Sequence, residues 1–88
     1  MVRRMAEVPV FDPSAGEPGY MYAKVADHIA ARIAAGELPP GSMLPNERAL
    51  AEQYGIAIGT ARRAVEELRS RGLVVTLAAK GTFVAGRP

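Results

Sequence analysis

The side chains best suited to chemistry in this 88-residue chain are cations and hydroxyls: Arg48, Thr60, Arg62, Arg63, Lys80 and Thr82, with Gly59 and Gly81 set among them. A guanidinium presents a planar fork of donors that matches phosphate oxygens and the edge of a purine, and an ammonium offers phosphate a point charge. This is the chemistry of holding a polyanion, not of making or breaking bonds. The groups that covalent chemistry needs are missing or scattered. There are no cysteines, so there is no disulfide, thiolate metal site or thiol nucleophile, which fits a reducing compartment such as the cytoplasm. His28 is the single histidine and has no ligand cluster near it in sequence, so it reads as a surface or boundary residue. Asp12, Asp27 and the glutamates form no recognisable acid–base pair, and no Gly-rich phosphate loop or metal-ligand spacing is present. No enzyme, cofactor or metal site is expected.

Cations of this kind need elements that present them together, and residues 44–72 supply two. A helix is predicted from Asn46, whose side-chain oxygen can cap the first turn, to Gly55. Leu50, Ala51 and Tyr54 share one face of it, while Glu47, Arg48, Glu52 and Gln53 point away. After a turn through Ile56 and Ala57, a second helix carries Ala61, Ala64, Val65 and Leu68 at i, i+3, i+4 and i+7. That stripe leaves Ile58, Gly59, Thr60, Arg62 and Arg63 outside it at the N-terminal end. Gly72 closes the helix in the left-handed conformation, with Leu73 folding back toward Leu68 or Arg69, and Arg69 and Arg71 sit at the negative end of the helix dipole. Helix, glycine-bearing turn and helix with an exposed leading end is the pattern of a helix-turn-helix.

The flanking residues complete a small domain. Residues 1–19 hold Pro9, Pro13, Pro18, Gly16 and Gly19 without periodicity and are expected to be a disordered arm, in which Arg3 and Arg4 could lie along a phosphate backbone. The same arginine pair does not open an export signal, because Glu7 and Pro9 interrupt any apolar run after it. Tyr22, Val25, Ala26, Ile29, Ala30 and Ile33 then predict a packing helix over 22–35, opposite Lys24, Asp27 and Arg32 and closed by Gly36. Pro40 and Gly41 in LPPGSML predict a type II turn, with a short strand over 42–44. Residues 73–77 and 82–85 predict a β-hairpin turning through Ala78, Ala79, Lys80 and Gly81. Such a hairpin makes a wing beside the second motif helix, with Lys80 and Thr82 able to meet phosphate oxygens near a Gly-bearing tip.

Composition agrees without deciding the matter. A hydrophobic fraction of 49% and a charged fraction of 23% are those of an ordinary soluble globular chain, and 88 residues make one domain with a thin stability margin. A formal charge of +2 permits a nucleic-acid partner but is too small to argue for one without clustering. No run approaches the roughly 20 apolar residues that span a bilayer, so no membrane is expected.

Three linked blocks, GELPPGSMLPNERALAEQYG, GTARRAVEELRSRGLV and KGTFVA, resemble in order and spacing the DNA-binding domain of GntR-type bacterial transcription regulators, a winged helix-turn-helix. The resemblance implies a mainly α fold of three helices and a C-terminal β-hairpin over residues 20–86. It implies DNA contacts by Arg48, Thr60, Arg62 and the wing residues Lys80, Gly81 and Thr82. Ile58, Gly59 and Arg63 join them by position on the same helix end. Two departures stand out. Where the family usually has a hydroxyl residue and then an arginine, this chain has Ala57 and Ile58; the second helix loses its cap, at about 1 kcal/mol, and a base-reading cation gives way to a side chain suited to a thymine methyl. Ala49 likewise replaces a glutamate that often completes a reciprocal cap. In the wing, Val75, Leu77, Ala78 and Ala79 replace a commonly polar stretch. Val75 either packs beneath the reading helix or is exposed, and Leu77 is expected to be exposed, making an apolar strip of the kind that marks a partner surface.

By this resemblance the chain is a sequence-specific DNA-binding regulator, expected to act as a repressor and as a homodimer on a two-fold symmetric operator. Its 88 residues are expected to hold neither the family's C-terminal effector-binding domain nor a small-molecule effector site. The rival reading is a winged helix that docks a protein through its wing or first helix.

Overall fold

A computed structural model describes residues 8–16 and 18–86. Arg3 and Arg4 lie outside the described residues. The elements follow as α1 (Met21–Ala34), α2 (Glu47–Tyr54), α3 (Ile58–Ser70), β1 (Val74–Leu77) and β2 (Gly81–Val84).

α3 is the central element, packed against α1, α2 and β1. Its stripe of Ala61, Ala64, Val65 and Leu68 is buried, as are Val25, Ala26 and Ile29 of α1 and Leu50 and Ala51 of α2. The three alanines of α2 and α3 in this core are small enough to let the helices approach closely. Ile29, Leu50 and Leu68 fill the space between the helices, each no more than 1% exposed. Leu44, Val74 and Val84 extend the same core under the hairpin.

The helix boundaries follow from local chemistry. Asn46 sits in extended conformation and its side chain accepts from the Ala49 N–H at 2.8 Å, which starts α2. α2 and α3 stop alike: Ile56 N–H reaches Ala51 O and Gly55 N–H reaches Glu52 O, and Leu73 N–H reaches Leu68 O and Gly72 N–H reaches Arg69 O. These paired bonds need a left-handed residue, which Gly55 at φ 67° and Gly72 at φ 78° supply. α1 closes at Gly36 with the same pair of bonds, from Glu37 to Arg32 and from Gly36 to Ile33.

The predicted turn at Pro40–Gly41 is present, bonded from Ser42 N–H to Pro39 O at 3.1 Å. Beyond it Met43 forms an antiparallel bridge with Phe83, flanked by Leu44 N–H to Thr82 O and Val84 N–H to Ser42 O, both at 2.8 Å. The segment predicted as a short strand therefore borders β2 on one edge, while β1 pairs with the other in the register Val74↔Val84 to Leu77↔Gly81. The hairpin turn places Ala79 at φ 63°, an uncommon conformation for a residue with a Cβ.

Residues 8–16, within the stretch expected to be a disordered arm, are held against the helices. Phe11 stands edge-on between the rings of His28 and Tyr54, with centroids 5.5 and 5.1 Å away. Val8 N–H donates to Glu37 at 3.1 Å, and Lys24 Nζ donates to Pro13 O at 2.7 Å. One well-placed aromatic ring and a few backbone bonds anchor this segment, and they leave no periodic mark in the sequence. His28 is a boundary residue, as expected. Its Nε2 lies 2.7 Å from Pro9 O, which can only accept, so Nε2 donates there, while Nδ1 shares a 2.7 Å hydrogen bond with the Tyr54 hydroxyl. Burial pushes the Tyr54 phenol above its ordinary pKa, against the opposing pull of the Arg32 hydrogen bond.

Candidate nucleic-acid interface

The cationic residues singled out in the sequence lie on three elements. Arg48, in the first turn of α2, is exposed, because the buried face of that helix is taken by Leu50 and Ala51. α3 begins at Ile58 after Ala57, which is extended and makes no side-chain cap, so the first amides of α3 have no side-chain acceptor from the residue that precedes it. Ile58 and Gly59 are exposed and Thr60 is half-buried. Arg62 and Arg63 are exposed one turn on. Lys80 is exposed in the hairpin turn, and Gly81 and Thr82 open β2, both half-buried.

These groups do not form one cluster. The first α2 turn and the wing face each other across a cleft of about 560 Å³, lined by Asn46, Glu47, Lys80, Gly81 and Thr82, with Val65 of α3 also lining it. Arg62 is tied to the α2 side of this cleft, its Nε donating to Glu47 Oε1 at 3.1 Å. Arg63 departs from the arrangement: its guanidinium carbon lies 4.1 Å from the centre of the Tyr22 ring, a cation–π contact with the start of α1. Tyr22 in turn stacks with the exposed Tyr20 at 5.9 Å. Thr82 is also partly engaged. Thr76 Oγ1 accepts from Arg69 Nε at 3.2 Å and Nη2 at 3.0 Å, which leaves Thr76 as donor to Thr82 Oγ1 at 2.9 Å.

Sequence reading misses Glu47 and Arg69 as parts of this surface. Helical spacing offers Glu66, at i+4, as the local partner for Arg62, yet Arg62 turns to Glu47 of α2 instead. No spacing rule could find a pair 15 residues apart on two helices. In the sequence Arg69 has only a favourable place at the helix terminus; in the fold its side chain pins the wing to α3 through Thr76.

The wing exposes apolar surface. Val75 and Leu77 are 46% and 48% exposed and Met43, beside β2, is 57% exposed, while Val74 and Val84 turn inward. For Val75 the open question is decided by strand alternation: Val74 takes the core side, so its neighbour faces out. Ideal Cβ geometry at Gly81 would come within 3.0 Å of Met43 Sδ, so this glycine lets Met43 lie across the wing.

Comparison with known proteins places the chain in a family. The family model for bacterial regulatory proteins of the gntR family matches residues 21–84. The HTH-type transcriptional repressor NagR of Bacillus subtilis is 40% identical over 65 residues, covering 74% of this chain and 27% of that protein. The chain thus spans about a quarter of the length of that curated relative. Among solved structures, YtrA from Sulfolobus acidocaldarius, a GntR-family transcription factor, superposes with a TM-score of 0.79 at 29% identity, over 91% of this chain and 84% of that one. The DNA-binding domain of AraR in complex with operator ORX1 superposes with a TM-score of 0.74 at 32% identity, over 94% of this chain and 100% of that one. Three helices, a two-stranded antiparallel hairpin and these matches agree on one assignment: the chain belongs to the gntR family of bacterial regulatory proteins and has the family's winged helix-turn-helix fold.

Proposed function

We propose that this chain binds duplex DNA sequence-specifically and represses transcription, entering the major groove with the start of α3 and touching the flanking backbone with the wing. The observation that carries this reading is the exposed, unfilled end of α3. Ile58, Gly59 and Arg62 are outside the core there, with Arg48 on the neighbouring helix and Lys80 across the cleft. Arg48, Lys80 and Thr82 serve as phosphate contacts, Thr60 and Arg62 as groove contacts, and Gly59 and Gly81 allow close approach. Arg63 acts on a flanking phosphate while remaining stacked on Tyr22. Ile58 meets a thymine methyl. Support comes also from AraR, whose domain of the same fold was crystallised with an operator, and from NagR, which is named a repressor. The chain works in the cytoplasm as a homodimer on a two-fold symmetric operator, since the helix-turn-helix pattern pairs protein symmetry with half-site symmetry.

Selection of bound duplexes from a random pool tests this. The expected result is a two-fold symmetric consensus whose affinity falls steeply with salt, with a logarithmic slope of about 0.9 for each phosphate neutralised. Absence of any consensus, together with a flat salt response, would overturn it in favour of protein docking through Met43, Val75 and Leu77, the exposed apolar side chains of the wing region.

A further inference from the structure

Among the described residues, Glu47 is the one carboxylate lining the cleft between α2 and the wing, where the proposed partner is a polyanion. A solvated acid there would repel phosphate, yet its backbone is firmly placed: Asn46 caps the helix immediately before it, and the first turn of a helix favours a negative side chain. Its Oε1 accepts from Arg62 Nε at 3.1 Å. A guanidinium has a side edge that includes Nε and an end edge formed by the two Nη groups. The contact to Glu47 occupies the side edge and leaves the end edge available. The end edge can meet guanine O6 and N7 with two parallel bonds. The nearby negative charge meanwhile offsets the attraction of Arg62 for phosphates.

We propose that Glu47 is a positioning residue that sets base specificity, holding Arg62 so that its Nη pair addresses a base edge instead of the DNA backbone. This rests on the DNA-binding function proposed above. Glu47 is thereby a source of discrimination at the expense of general affinity. Without it, Arg62 swings freely and acts as one more phosphate contact.

The test is a double-mutant cycle with the full chain, comparing the selected consensus duplex with a shuffled duplex of the same composition. Glu47→Ala should lower the ratio of consensus to shuffled affinity about tenfold, the discrimination expected of one bidentate base contact. On the shuffled duplex it should steepen the salt slope by about one. In an Arg62→Ala background the same substitution should leave the ratio unchanged. The pair is exposed, with side chains 57% and 41% accessible, so circular dichroism and thermal melting should show an intact fold. An unchanged ratio for Glu47→Ala, or an equal fall with and without Arg62, would overturn the inference while leaving DNA binding intact. A wild-type chain that prefers no duplex would instead remove the function on which it rests.

Discussion

At its C-terminal end α3 is lashed to its surroundings: Arg71 donates to Glu67 at 2.9 Å and to Asp27 of α1 at 2.8 Å, and Arg69 holds Thr76 of the wing. At its N-terminal end the arginines have looser engagements, Arg62 with the exposed Glu47 and Arg63 with the face of Tyr22. The Glu67 and Asp27 hydrogen bonds raise the Arg71 pKa above the ordinary arginine value, whereas the leading end begins without a side-chain cap. The same residue type on one helix thus braces the fold at one end and remains available at the other.

That contrast can be broken at several points. Leu68 is fully buried beneath the braced end, so Leu68→Ala should cost about 2–5 kcal/mol. In a domain this small, the loss should lower the thermal midpoint by roughly 10 °C or more. Arg62→Ala should weaken consensus binding by about 1–3 kcal/mol with little change in melting, measured by fluorescence anisotropy beside calorimetry. Ala57→Ser should stabilise the leading end by about 1 kcal/mol, seen as a higher midpoint of urea unfolding, because Ala57 already has the extended backbone of a cap. Arg71→Ala should have the smallest effect, below about 1 kcal/mol of stability, since its two bonds are near the surface. It should not alter the consensus. If Arg71→Ala weakened DNA binding as much as Arg62→Ala, the division of labour between the two ends would be wrong.

The helices and the hairpin were legible because their signals are local. Asn46, Gly55 and Gly72 act within a turn of their own positions, and the stripe Ala61, Ala64, Val65 and Leu68 requires only the pitch of a helix. The placement of Arg48, Ile58, Arg62 and Lys80 at the surface followed from their absence from those stripes. The docking of residues 8–16 was not legible, because it depends on Phe11 finding His28 and Tyr54 on two different helices.

The chain order of residues therefore determined which segments are helical, where they stop, and which side chains must be left outside the core, all through interactions reaching no more than a turn or one strand pair. Tertiary structure alone decided the partners of the cations: Glu47 for Arg62, Tyr22 for Arg63, Thr76 for Arg69 and Asp27 for Arg71. Those choices depend on how the helices cross, and the crossing is set by the volumes packed between them. Side chains 15 to 44 residues apart in sequence come within hydrogen-bond reach only after that packing is complete.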